Sequence, residues 1–380
     1  MTTTMAQLPD FRLETYFSRW EFTARHHLAA SDAQTMTMAE ILALAGPEDR
    51  EAWDTLALGY TETFGDPGLR RAIAGMYDRV EADDVLCFGG AQEAINLAMQ
   101  VLLGPGDHAV VVTPCYQSAE TIPLSLCEVT GVALDEHEDW ALDLDAVEAA
   151  LRPNTRVVSV NFPNNPTGKV IPAADFARLV ELCEERGIRL FSDEVYRGLE
   201  ADPARTLPQA ADLSQSALSL NVVSKSLGLA GLRIGWIACR DRELRSRLER
   251  AKHYTTICNS APSEILARIA VTARESILAR NRAIIAENTP RFDAFFAEFG
   301  DLFEWRAPDG GCAAFPRYLG ADGVEAFCAG LVEEAGVLLL PASAYRSELT
   351  PTPTDRFRLG IGRRDPGPAL EAFGDWLRKR

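Results

Sequence analysis

Lys225 ends an apolar run, Ala217 to Val223 followed by Ser224, and leads into Ser226-Leu227-Gly228-Leu229-Ala230-Gly231-Leu232, with Arg233 eight positions beyond it. An ammonium at the end of a buried strand must shed its water, so the neutral amine or an imine is favoured there. Lys225 is therefore a candidate Schiff-base lysine and Arg233 a candidate phosphate anchor, against the plainer reading of a surface lysine after a strand. Gly89-Gly90-Ala91-Gln92 joins a strand to a helix start, where free N–H groups and the helix dipole favour a phosphate. It lacks the Walker spacing, and a simple strand-to-helix turn is the competing reading. Tyr116, after Thr113-Pro114, is either an aromatic platform for a planar ligand or a cap on the sheet. Asn161-Phe162-Pro163-Asn164-Asn165-Pro166-Thr167-Gly168 is a rigid turn that can hold a side-chain amide in one place. In Ser192-Asp193-Glu194-Val195-Tyr196, a carboxylate and a tyrosine three positions on can address two edges of one aromatic ring. Asp193 as a helix cap is the bland alternative.

The elements that must position these residues alternate. Short, continuously apolar strands are expected at 85–88, 108–113, 129–134, 157–162, 188–192, 217–223 and 234–239. Helices are expected between them, at 69–80 behind Asp66-Pro67, and at 91–103, 121–126, 144–151 and 173–186. Such alternation means a mostly parallel sheet covered on both faces, with ligands outside the carboxyl ends of its strands. Every polar residue named above falls at such an edge. After Asp241 the pattern becomes long helices, 242–253 and 263–299, then an α+β segment. That segment has strands at 303–305, 312–315, 337–340 and 356–361, and helices at 323–334 and 368–379. The division expected is an N-terminal segment, 1–46, that joins a small domain; a large domain, 47–265; and a small C-terminal domain, 266–380. Within the first, 11–45 reads as an amphipathic arm or an ordinary first helix, with a helical run from Thr37 to Leu44.

The chain has 380 residues, 47% hydrophobic and 24% charged, with a formal net charge of -17. That length favours two domains, and the composition is that of a globular protein. The acidic balance, with no basic run, argues against nonspecific binding to nucleic acid or anionic membranes. None of the eight cysteines forms a CxxC pair, so they read as buried thiols in a reducing compartment, with no metal site. Met1 to Asp10 has no basic stretch followed by an apolar one, and no apolar run reaches a membrane span; a cytoplasmic protein is expected.

In this order and spacing, Asn-Asn-Pro-Thr-Gly from Asn164, Ser-Asp-Glu-Val-Tyr from Ser192 and the Ser224-Lys225 to Gly-Leu-Arg-Ile-Gly-Trp stretch resemble the class I/II aminotransferases, fold-type I pyridoxal-phosphate enzymes. The resemblance runs from about Tyr60 to Arg358. It implies an α/β large domain with a mostly parallel seven-stranded sheet between helices, a smaller α+β domain, and pyridoxal 5'-phosphate as cofactor. It implies that Lys225 forms the internal aldimine and moves the proton, and that Asp193 pairs with the pyridine nitrogen. Asn165 and Tyr196 would bond the phenolic oxygen, and Tyr116 would stack on the ring. The phosphate would lie on the Ala91 and Gln92 amides beyond Gly90, on Ser224 and on Arg233. Tyr60, in Leu58-Gly59-Tyr60, matches a tyrosine that reaches the other subunit's phosphate, which implies a homodimer with shared active sites. Arg358, in Phe357-Arg358-Leu359-Gly360, matches the arginine that clamps the substrate carboxylate, with Asn165 beside it.

Two departures bear on substrate. Val222 stands where many relatives have serine or threonine, and Ser224 is the substitute. Leu28-Ala29-Ala30-Ser31-Asp32-Ala33 replaces the usual glycine-containing stretch that closes on the substrate. The chemistry expected is transamination of an amino acid with a 2-oxo acid acceptor. A lyase, cyclase or oxidase of the same fold, such as a capreomycidine-synthase-like enzyme or a carbon–sulfur lyase, is the alternative. Glu14, Glu21 and Asp32 in the variant N-terminal segment suggest a basic or guanidino substrate; otherwise these acids are solvated or pair with Arg12, Arg19 and Arg25. A DNA-binding regulator with an aminotransferase-like domain is disfavoured, because no helix-turn-helix fits before Tyr60 and the chain is acidic.

Overall fold

The computed structural model describes residues 8–380; the Met1–Gln7 part of the stretch read for a leader lies outside them. The seven apolar runs form the strands of one sheet: β1 (Val85–Phe88), β2 (His108–Thr113), β3 (Glu128–Ala133), β4 (Thr155–Asn161), β5 (Arg189–Asp193), β6 (Leu218–Val222) and β7 (Gly235–Ala238). Their order is β1-β7-β6-β5-β4-β2-β3. Helices cover both faces, so β1, β2, β6 and β7 are buried at every residue. β3, at the edge, has two exposed positions, Glu128 and Ala133, and β4 has one, Arg156 near its start.

The direction of each strand explains where the chemistry collects. β2 to β6 pair in parallel, so Thr113, Asn161, Asp193 and Val222 all end at one edge. In the register, Asn161 lies opposite Asp193 and Asp193 opposite Leu220. β7 runs antiparallel to both β6 and β1. Its reversal brings its beginning, just after Arg233, to the edge where the other strands finish. β1 is thereby parallel to the rest and delivers Gly89-Gly90 to the same place.

Several helices differ from expectation. The one expected from Leu69 to Val80 is Pro67–Ala74, with Gly75 as its C-cap. The one expected at 121–126 is Gln117–Leu124 and starts directly after Tyr116, its N-cap. The single helix expected over 263–299 is two, Ala261–Thr272 and Arg274–Glu298, separated at Ala273, whose φ of -90° and ψ of 12° break the spiral. Pro47–Asp54 is an unexpected helix; it buries no residue, so no apolar period announces it.

The smaller α+β domain holds a three-stranded sheet with Phe357–Gly360 between Ala313–Ala314 and Leu340–Pro341. Phe373 packs on Phe295, Phe303 and Phe327 at centroid distances of 4.8, 5.9 and 5.8 Å, which anchors helix Gly367–Leu377 to it. The segment after the first helix, α1 (Arg12–Trp20), joins this domain. Leu28 N–H donates to Leu338 O (3.1 Å), and Gly360 N–H donates to Leu28 O (2.6 Å). α1 buries Leu13 and Phe17. No helix among the described residues is long and apolar enough to cross a membrane.

Candidate active site

The polar ends of the strands converge on a cavity of about 520 Å³. Its floor is set by β4 and β5. Asn161 Nδ2 donates to Asp193 O (3.0 Å) and Asn161 Oδ1 accepts from Asn165 N–H (2.8 Å), so one side chain ties the two strand ends together. Asn164 Nδ2 donates to Pro114 O (3.1 Å), which pins the same turn to the Tyr116 loop. Asp193 accepts from Val195 N–H (3.2 Å). Burial pushes its carboxyl up to about 6, against that hydrogen bond and the nearby Lys225.

Lys225 lines the cavity above this floor, and its Nζ donates to Ser31 Oγ (3.1 Å). Burial, reinforced by the Arg358 guanidinium, pushes its pKa down, so the neutral amine, the nucleophilic form, is favoured. Tyr196 is 2% exposed and lines the cavity with a hydroxyl that has no partner among the described residues; Ser224 Oγ is also buried, cavity-lining and unpartnered. Asn165 Oδ1 accepts from Tyr345 Oη (2.7 Å), which leaves its Nδ2 free to face the cavity.

At the far end, α2 (Ala91–Leu102) points its N-terminus at the cavity, with Ala91 and Gln92 in the wall. Gly90, its N-cap, has φ +104°, and a Cβ there would lie 2.6 Å from Arg233 Nη2. Glycine thus lets a guanidinium sit over the free amides of a helix start, a ready anion cradle. Val222 also lines the wall. Two orphaned buried hydroxyls, a desolvated lysine, a floor carboxylate and this cradle fit pyridoxal phosphate, which presents an aldehyde, a phenolic oxygen, a ring nitrogen and a phosphate.

The remaining sequence candidates sit differently. Tyr116 lines the cavity, stands 5.1 Å from the Phe11 ring and donates from its hydroxyl to Glu14 Oε1 (2.7 Å). Arg358 is 1% exposed and lies behind the wall. Its Nε and Nη2 donate to Ala29 O (3.1 and 2.7 Å), its Nη1 to Tyr345 Oη (2.5 Å), and the Phe17 ring covers it at 5.5 Å. Tyr60 is 93% exposed and lies outside this cavity. The roof comes from the N-terminal segment: Phe11, Glu14, Phe17, Glu21, His27, Ala30, Ser31 and Asp32. Asp32 accepts from Arg363 Nη2 on both oxygens (2.9 and 2.7 Å). Arg12 and Arg19 pair with Glu348 (3.8 Å) and Glu333 (3.6 Å) instead of the roof acids.

Sequence reasoning missed Tyr345, His27 and Arg363. Tyr345 lies in an irregular stretch with no motif, so nothing marked it. Arg363 follows Gly362 just past the Arg358 strand, and a second arginine so close to the first was a usable signal. All eight cysteines are free thiols, and no group of three metal-ligating side chains occurs among the described residues.

The fold and this cavity define a fold-type I pyridoxal-phosphate transferase. The chain belongs to the aminotransferase class I and II family, whose pattern matches residues 29–366. It is 32% identical over 307 residues to a probable N-succinyldiaminopimelate aminotransferase of Mycobacterium tuberculosis, covering 77% of each chain. It is 30% identical over 367 residues to capreomycidine synthase of Streptomyces vinaceus, covering 96% of this chain and 92% of that one. A pyridoxal-phosphate-dependent aminotransferase structure from Streptococcus suis superposes with a TM-score of 0.90 at 29% identity, covering 98% of both chains. The protein is a pyridoxal-phosphate-dependent aminotransferase that acts on an amino acid.

Proposed function

We propose that the reaction runs in the cavity around Lys225, with each wall in one role. The carrying observation is that the desolvated Lys225, the floor carboxylate of Asp193 and two unpartnered buried hydroxyls line one space. Bound there, pyridoxal phosphate supplies an aldehyde carbon for amines and an electron sink for the electrons of the substrate's broken Cα–H bond. Lys225 Nζ would hold that carbon in the resting enzyme and, as the neutral amine, would carry the α-proton. Asp193 would pair with the ring nitrogen. Asn165 Nδ2 and the Tyr196 hydroxyl would bond the phenolic oxygen, and Tyr116 would lie against the ring. Gly90 clears the approach to the Ala91 and Gln92 amides, which hold the phosphate with Ser224 and Arg233. Arg358 takes the substrate carboxylate, and a 2-oxo acid accepts the amino group.

The finer reading includes a homodimer in the cytoplasm. Its support is the exposure of Leu58, Tyr60 and Tyr254, at 83, 93 and 92%. Tyr60 would reach the partner's phosphate. The amino acid is basic, supported by the acids of the roof. One observation favours a cyclase or lyase of the same fold as second reading. The sequence match to capreomycidine synthase spans 96% of the chain, whereas the sequence match to the N-succinyldiaminopimelate aminotransferase spans 77%.

The test loads purified protein with pyridoxal phosphate, adds single amino acids and follows the cofactor's visible band and the products. The lysine-bound band should appear in the wild type and be absent in Lys225→Ala. Conversion of the cofactor to its amine form with release of a keto acid supports transamination. A cyclised or dehydrated product, or free ammonia, without net cofactor conversion supports the second reading.

A further inference from the structure

The roof of the cavity carries an acid, Glu21, with no lysine or arginine at ion-pair distance among the described residues. Four carboxylates line the space: Glu14, Glu21, Asp32 and Asp193. Asp193 belongs to the floor, with its backbone partner at Val195. Asp32 is neutralised by Arg363, which reaches both of its oxygens. Glu14 accepts from the neutral hydroxyl of Tyr116. Glu21 has only His27, whose Nε2 stands 3.9 Å from Glu21 Oε1. That imidazole is no counter-ion. Burial, and then the Arg358 and Arg363 guanidiniums, push its pKa down to about 4, so it is neutral near pH 7. Its Nδ1 accepts the Ala29 N–H (3.2 Å), which fixes the neutral tautomer with the proton on Nε2. Glu21 therefore faces a neutral ring, and burial, then Glu14 and Asp32, push its own pKa up against the pull of Arg363 and Lys225. A carboxylate in this position gains from any cation brought beside it.

Helix geometry puts the group where a side chain would end. Phe11, Glu14, Phe17 and Glu21 are spaced three, three and four apart, one face of α1 and its caps, and all four line the cavity. Phe17 covers Arg358, so the same helix face spans from the buried arginine to Glu21. A substrate with its carboxylate toward Arg358 thus extends its side chain under α1.

We infer that Glu21 is a specificity-determining residue, the counter-ion for a positively charged substrate side chain, with neutral His27 beside it and Glu14 as the second acid. This rests on the proposed aminotransferase site. It also singles out one acid from the three in the N-terminal segment, since Asp32 already has its partner. The ligand class is an amino acid ending in a guanidinium or ammonium group, for which a carboxylate is the matching acceptor.

The test uses isosteric pairs on the cofactor-loaded enzyme: arginine against citrulline, and ornithine against norleucine. Half-reactions are followed by loss of the lysine-bound cofactor band. A charge-assisted contact predicts kcat/KM about 10- to 100-fold higher for the cationic member. Glu21→Gln should bring that ratio to within about threefold, and Glu21→Asp should keep part of it. A wild-type ratio near one in both pairs, or a preference that survives in Glu21→Gln, overturns the assignment and leaves the aminotransferase reading standing. If no amino acid converts the bound cofactor, the aminotransferase reading falls. Calorimetric binding of arginine and citrulline then decides the charge question separately, and equal affinities would overturn it.

Discussion

Replacing Asp193 by asparagine sets stability against cofactor binding, and the structure gives both signs. The side chain ends β5 on the cavity floor, and burial lifts its pKa from an ordinary 3.8 to about 6. Below pH 3.8 the group is protonated folded or unfolded and has no effect. As pH rises through the window, the unfolded chain releases the proton first, so stability is lost progressively, and the loss is complete above about pH 6. The full penalty is about 3 kcal/mol at pH 8 and about 1.5 kcal/mol at pH 5. These are ceilings, because water filling a cofactor-free cavity reaches one side of the carboxylate. Neighbouring Glu194, pushed up by burial to about 7, titrates in both proteins and cancels in the difference. Cofactor-free Asp193→Asn is therefore expected to be more stable than cofactor-free wild type by urea denaturation, with a gap that widens from pH 5 to pH 8. With pyridoxal phosphate the order reverses, because a protonated ring nitrogen converts the buried carboxylate from a liability into half of an ion pair. Cofactor affinity should drop by about tenfold or more. A cofactor-free variant no more stable than wild type at pH 8 would refute the burial argument. Unchanged cofactor affinity would refute the pairing.

Tyr345→Phe removes a hydroxyl that accepts from Arg358 and donates to Asn165, leaving both buried groups short of a partner. About 2–4 kcal/mol of stability should go, read by denaturation, and KM for the amino donor should rise more than kcat falls. Gly90→Ala forces a side chain onto φ +104° and a Cβ to 2.6 Å from Arg233 Nη2. It should cost about 1–3 kcal/mol and weaken pyridoxal phosphate in an absorbance titration, whereas a variant with wild-type cofactor affinity would argue against phosphate at that helix start.

The floor of the site was legible in the sequence; of the roof, the acids Glu14, Glu21 and Asp32 were, but not what they touch. The floor residues end strands that are mostly apolar and buried, such as Val157-Val158-Ser159-Val160 before Asn161, and a polar residue at the end of such a run has few structural reasons to be there. Their order also fixes their place, because parallel strands must all finish at one edge. The roof depends on contacts between distant parts of the chain. Ser31 meets Lys225 across 194 positions, and Ala29 meets Arg358 across 329. No local period encodes such pairs. The helix boundaries failed for a related reason: a break at Ala273 inside a continuous apolar and charged pattern has no glycine or proline to mark it.

This division has a chemical consequence. The floor is built on a sheet buried on both faces, and its donors and acceptors are held by neighbouring strands, so it defines what happens at the α-carbon. The roof is hung from the smaller domain by Leu28, which bonds Leu338 and Gly360, and it reaches back to Lys225 through Ser31. Arg358 is currently satisfied by Ala29 O and Tyr345 and is roofed by Phe17. These contacts use three of the guanidinium's five N–H groups, so two remain for a substrate carboxylate. Both Ala29 and Phe17 belong to the N-terminal segment, so on the proposed role of Arg358 a carboxylate bound there would lie against that segment. Glu21 rides on that segment. On the proposed assignments, the segment that packs on Arg358 thus also carries the acid that would read the substrate's side chain, which would bring recognition of the two ends of the amino acid onto one short helix.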